Sequence, residues 1–177
     1  MSQHRFLAAG WLGAAILLAV FAAGCVYQAP LTAKPTRKID DRLLGDWVED
    51  QADGKDLKIR KLDDSHYVIF YEEFYQAYHS DVGESHFVSI QQIDPIPEAD
   101  RKYTFATYEL KADGKTLVVR TVNDKTIPDT LKTSAALEKA VRANLKNPAL
   151  FNNDGATFIR PKAKIAPGGQ ASPSPAP

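Results

Sequence analysis

Glu49–Asp64 reads EDQADGKDLKIRKLDD, and Glu109–Asp124, sixty residues further on, reads ELKADGKTLVVRTVND. Both carry Ala-Asp-Gly-Lys, then Leu at 57 and 117, Arg at 60 and 120, and Asp at 64 and 124. An Asp-Gly pair supplies the positive φ angles of a tight hairpin, because Gly has no side chain to clash there. Leu57 and Ile59 fall on one face of an extended strand, as do Leu117 and Val119, while Arg60 and Arg120 fall on the other. Each stretch is therefore expected to be strand, turn, strand. Internal duplication and convergence of good hairpins both account for the likeness. On either account, hairpins imply an antiparallel meander, not a parallel sheet.

The same signals recur outward from these stretches. Leu43–Val48, Leu57–Leu62, His66–Glu72, His86–Ile93, Tyr103–Lys111, Thr116–Val122 and Ala156–Arg160 read as strands, seven in all. Asp63-Asp64-Ser65 is turn chemistry, since short polar side chains bond nearby backbone groups. Phe74–Glu84, with Gly83, is expected to be a loop. Ser134–Lys146 places Leu137, Val141 and Leu145 at four-residue spacing, a helix with Ser134 as its N-cap. Its narrow, Ala-rich apolar stripe suits packing on a sheet. The expected fold is mainly β: an antiparallel meander forming a small barrel or a strongly curved sheet, with one C-terminal helix packed on it.

Composition bounds the function. The chain has 177 residues, 44% of them hydrophobic, with 22 basic against 22 acidic side chains. That suits one domain with a single core. The charge balance excludes a general nucleic-acid binder, which needs a basic stripe. A single Cys excludes an internal disulfide framework and a four-thiolate zinc site.

The first 25 residues are of another kind. Arg5 is the only charge before a run from Phe6 to Gly24 of 19 uncharged residues, FLAAGWLGAAILLAVFAAG, which ends at Cys25. A basic start, an apolar middle and small residues before a cut describe an export signal. An ordinary signal peptidase site and an uncleaved membrane helix are the competing readings, since 19 apolar residues just reach spanning length.

Ala22-Ala23-Gly24-Cys25 resembles the lipobox of bacterial lipoproteins, in which small residues precede an invariant Cys. Ala22 stands where Leu is commoner. The resemblance implies a diacylglyceryl group on the Cys25 thiol, cleavage that leaves Cys25 first, and a membrane partner held through acyl chains. In Gram-negative bacteria, Val26 rather than Asp after the Cys implies sorting to the outer membrane. Two or three acyl chains anchor far more firmly than one. The resulting organisation is a signal at 1–24, a lipidated N-terminus and tether at 25–39, a β domain at 40–160 and a Pro-rich tail at 161–177. Val26–Lys38 lacks periodicity and contains Pro30 and Pro35, which is why it reads as a tether.

Leu44-Gly45-Asp46-Trp47 resembles the Gly-x-Trp signature of lipocalins. There the Trp plugs one end of an up-and-down barrel and a late Arg packs over its ring. The resemblance implies structural roles for Trp47 and Arg160, and a barrel that holds an apolar ligand. The alternative for Trp47 is an ordinary core aromatic.

Tyr67, Phe70, Tyr71, Phe74, Tyr75 and Tyr78 place six aromatics in twelve residues. Tyr67, Tyr71, Phe74, Tyr75 and Tyr78 are the candidate wall of an apolar ligand pocket; plain core packing is the competing reading. His66, His79, His86 and Glu84 lack any metal-ligand spacing, so no metal or other cofactor is expected. Glu72 and Glu73 are neighbours in an expected strand, facing opposite ways, so they make no catalytic pair. No nucleophile elbow or phosphate loop is present, and an enzyme is not expected. Two function classes remain. One is an envelope module binding an apolar ligand in a Tyr- and Phe-lined cavity. The other is a structural or assembly factor with a filled interior and an exposed apolar patch that docks a partner protein.

Overall fold

The computed structural model describes residues 26–94 and 96–161. The leader, Cys25 and the tail beyond Pro161 lie outside the described residues. The strands are β1 (Gly45–Glu49), β2 (Asp56–Lys61), β3 (His66–Tyr71), β4 (Glu73–His79), β5 (Val88–Asp94), β6 (Tyr103–Leu110), β7 (Thr116–Thr121) and β8 (Ala156–Ile159). Among the described residues there is one α-helix, α1, which spans Ser134–Asn144. Each strand pairs antiparallel with the next, and β8 pairs back onto β1, which closes an eight-stranded barrel. Closure removes both sheet edges, so no row of backbone donors and acceptors is left unpaired.

The count is eight where the sequence suggests seven. The added strand is β4, which occupies most of the stretch expected to be a loop at Phe74–Glu84. Tyr71 pairs directly with Glu73, so Glu72 alone makes the turn. Its φ is 60°, in the left-handed region that non-glycine residues avoid. The run from Tyr67 to Tyr78 contains no Gly, Pro, Asn or Asp, and so nothing in it announces a reversal. Glu72→Gly should relieve the strain and raise unfolding free energy by ~0.5–1 kcal/mol, after loss of the exposed ion pair from Lys55 Nζ to Glu72 Oε2 at 2.6 Å. Urea denaturation would measure it, and a less stable variant would show that the ion pair outweighs the backbone term.

The two look-alike stretches are the β1–β2 and β6–β7 hairpins, but they turn differently. Gly114 has φ +63° in open space, as expected. Gly54 has no positive φ; a Cβ there would lie 1.9 Å from the Glu49 carbonyl oxygen, so close backbone approach is what demands Gly.

Alternate residues face the lumen. Trp47, Leu57, Ile59, Tyr67, Tyr71, Ile90, Leu117 and Phe158 form one apolar cluster inside it. Cross-strand pairs such as Trp47–Leu57 and Ile59–Ile69 set the register. A one-residue slip would turn this whole set to solvent.

A second core lies outside the barrel. Phe105 on β6 and Phe87 before β5 meet Leu137 and Val141 of α1, together with Ile127 and Leu150. Thr133, not Ser134, is the N-cap of α1; its hydroxyl accepts the Ala136 N–H. Tyr27, Ala29 and Leu31 also join this core, so residues 26–38 are a packed strap and not a free tether. Tyr27 and Leu31 are fully buried, and Tyr27 exchanges both backbone hydrogen bonds with Tyr103, at 2.7 and 2.8 Å. Its ring stacks on Phe105 at 4.4 Å and its hydroxyl donates to the Ile127 carbonyl. Proline keeps such a segment extended, which erases helical periodicity without preventing burial. The strap then crosses β5 and β4, where the Leu31 N–H donates to Ser89 Oγ and Thr36 donates to the His79 carbonyl.

Candidate functional site

The strands run alternately up and down, so the barrel has two ends. At one lie the chain's entry into β1, the β2–β3 loop, the β4–β5 loop and Arg160. At the other lie the β1–β2 loop, the Glu72 turn and the β5–β6 loop.

The lumen is the first place a ligand would go. It holds a cavity of about 60 Å³ lined by Leu43, Leu57, Ile59, Ile90, Ala106 and Leu117, with the Tyr67 and Tyr108 rings beside them. A ligand pocket for a molecule of drug size spans roughly 300–1,000 Å³. Trp47, Tyr67, Tyr71 and Phe158 take up the space a bulky ligand would need.

Trp47 is fully buried and donates from Nε1 to the Leu43 carbonyl at 2.9 Å. The guanidinium of Arg160 lies 4.1 Å from its ring centroid. Arg160 also donates to the carbonyls of Leu44 and Arg42, at 3.1 and 2.7 Å. Gly45, with φ +125°, makes room for it: a Cβ there would stand 2.5 Å from Nη1. Gly45 and Trp47 are two apart and so share a face. The Gly-x-Trp spacing and a distant Arg thus form one packed unit closing that end.

Beside it lies a polar network. Tyr67 Oη accepts the Asp40 N–H at 2.6 Å and lies 2.8 Å from His79 Nε2. Which of the two atoms donates follows from the imidazole tautomer, and the other ring nitrogen is Nδ1. That buried atom has no hydrogen-bond partner. His79 is fully buried, and burial with the nearby Arg37 charge holds its pKa down to about 4. Burial likewise pushes the Tyr67 and Tyr108 hydroxyls up. Arg37 ties Asp81 at 3.0 Å and Tyr108 Oη at 3.2 Å, which joins the strap to the β4–β5 loop and to β6. At the other end of the lumen, Tyr71 Oη donates to the buried Glu49 carboxylate at 3.1 Å.

The five aromatics expected to form one ligand wall do not share a face. Tyr67, Tyr71 and Tyr75 pack with the lumen cluster. Tyr78 lies on the outer side under the strap, where its hydroxyl donates to the Thr32 carbonyl, and burial pushes its pKa up to about 12. Phe74 is 44% exposed on the outer face. The one-residue turn at Glu72 keeps the alternation in phase, so odd positions face the lumen in both β3 and β4 and the even positions Phe74 and Tyr78 face outward. Glu72 sits at the tip of that turn and only Glu73 is in a strand. Among the described residues, no three His, Cys, Asp or Glu side chains converge as metal ligands. His66 and His86 instead lie against Asp63 and Asp81.

The outer face of β2–β4 carries exposed aromatic surface at Phe74. Lys58, Arg60, Val68, Phe70 and Phe74 enclose an open groove of about 300 Å³. Phe70 and Phe74 meet at 5.1 Å, with the Lys58 ammonium 5.5 Å from the Phe70 centroid. Sequence reading missed this face because it depends on β4 being a strand. Comparison with known families, with characterised proteins and with solved structures returns no match for this chain, so the chemistry of the site rests on its own geometry.

Proposed function

We propose that the chain is an exported, lipid-anchored protein of the bacterial cell envelope, held through Cys25, whose barrel is a non-enzymatic structural or assembly factor that docks a partner protein. The observation that carries this reading is where the apolar surface lies. The lumen leaves about 60 Å³ in its interior and about 120 Å³ at its mouth beside Tyr75 and Ile90, each below the size of a drug-sized ligand pocket, whereas the outer face of β2–β4 leaves Phe74 exposed beside Phe70 and Val68. Aromatic side chains flanked by Lys58 and Arg60 suit a protein surface with apolar and acidic groups. The leader supports export, Cys25 at the small-residue site supports acylation, and Val26 supports the outer membrane. Closure of eight up-and-down strands with Arg160 over Trp47 supports a lipocalin-like barrel.

A second reading keeps the apolar ligand, and the dry lining of the lumen cavity favours it for a slender group of a few heavy atoms. Two measurements separate the readings. A photo-crosslinking amino acid replacing Phe74 in living cells should yield one discrete protein adduct, while the same probe at Leu62 yields none. Native mass spectrometry of the detergent-extracted protein should find no stoichiometric apolar ligand. No adduct at Phe74, or a ligand in every molecule, would move the function into the lumen.

A further inference from the structure

We propose that the barrel end bearing Val26 and the β5–β6 loop is seated directly on the lipid surface; this rests on the acylation of Cys25 proposed above. If residues 26–38 were a free spacer, the barrel would float at a distance from its anchor. Instead the chain is fixed at Tyr27, which is fully buried and paired with Tyr103 through both backbone hydrogen bonds. Consecutive Cα atoms lie about 3.8 Å apart, so Cys25 stands no further than ~8 Å from Tyr27. Acyl chains on Cys25 therefore cannot enter a bilayer without bringing this end of the barrel to its surface.

The surface at that place is suited to the contact. Val26, 53% exposed, borders the barrel mouth together with Ile96 and Lys102, around a cavity of about 120 Å³ that reaches in to Tyr75, Ile90 and Thr104. Val26 and Ile96 offer apolar contact at headgroup depth, and the Lys102 stem can lie along them while its ammonium meets phosphate. The β1–β2 loop, the Glu72 turn and the β5–β6 loop carry Asp50, Asp53, Glu72, Glu98 and Asp100 against Lys55, Arg101 and Lys102. That excess of acid gives no attraction to anionic lipid, so the seating comes from the short connection and not from charge.

The test uses the full-length acylated protein in phosphatidylcholine vesicles. Acylation consumes the only native thiol, so Ile96→Cys and Leu62→Cys can each carry one environment-sensitive fluorophore. Leu62 is 53% exposed in the β2–β3 loop, at the opposite end. Brominated phosphatidylcholine should quench the label at 96 several-fold more than the label at 62. A twelve-residue Gly-Ser insertion between Cys25 and Val26, reaching roughly 20 Å, should keep the protein on vesicles while reducing quenching at 96 to the level at 62. Equal quenching at the two sites in vesicle-bound, acylated protein would overturn the seating and leave the anchor standing. Quenching unaffected by the insertion would overturn it too. Protein that lacks the acyl mass and does not float with vesicles would remove the anchor, and the seating with it.

Discussion

Trp47→Ala should lower unfolding free energy by ~3–5 kcal/mol, the cost of emptying a fully buried large aromatic site. The position is less forgiving than most because three features depend on the ring. It fills the closed end of the lumen with no exposure, its Nε1 serves the Leu43 carbonyl, and its face carries the Arg160 guanidinium at 4.1 Å. Without it, Arg160 keeps its backbone partners but covers a void. Trp47→Phe should lose distinctly less, since a ring remains and only the indole donor is gone. Gly45→Ala should also destabilise, because the new Cβ enters at φ +125° and meets Nη1. Urea titration of the three variants checks the order; an Ala variant with an unchanged midpoint would place the ring outside the core.

Stability should also fall steeply on mild acidification because of His79. Its folded pKa is depressed from 6.5 to about 4, chiefly by burial. An unfolded His takes up its proton near its ordinary value, so the folded state binds fewer protons between these limits. The stabilisation from keeping His79 neutral is complete above pH 6.5 and is lost as pH falls toward 4. Taken over the whole window it amounts to ~3 kcal/mol. The side chain cannot simply open to water. Its ring is bonded to Tyr67, its carbonyl holds Thr36, and Arg37, Asp40, Asp81, His86 and Tyr108 surround it. Carboxylates held low by partners, such as Asp40 beside Arg42 and Asp63 beside Ser65 and His66, contribute their own losses at lower pH. His79→Gln separates the terms, because Gln does not titrate. The difference in unfolding free energy between pH 7.5 and pH 4.5 should be smaller in the variant. The same difference in both proteins would show that His79 is not the source.

The parts of this fold legible in the sequence are those with local causes. Six of the eight strands follow from β-branched and aromatic runs between turn residues. Helix α1 follows from the spacing of Leu137, Val141 and Leu145. The fifth strand is legible too, with its start displaced from His86 to Val88 because Phe87 belongs to the outer core. Trp47 and Arg160, 113 positions apart, were linked only through a resemblance, and the contact is present. What was hidden has long-range causes. Glu72 turns the chain without turn chemistry, because pairing of β3 with β4 on both sides offsets the strained φ. The strap looked structureless because its burial depends on a bare patch of β5 and β6 that no local pattern announces. His79 reads as one of four ordinary His residues until β4 carries it inward. The site inherited these gaps: once β4 is a strand, the aromatic cluster divides into lumen and outer face.

Export and anchoring both depend on the acylation proposed for the Cys25 thiol, and one experiment meets that directly. Cells producing the Cys25→Ser form should accumulate unprocessed precursor that carries no acyl group by intact-mass measurement, whereas the native chain should be recovered from membranes starting at Cys25 with its acyl mass. A Ser form that is processed and membrane-bound to the same extent as the native chain would contradict the account.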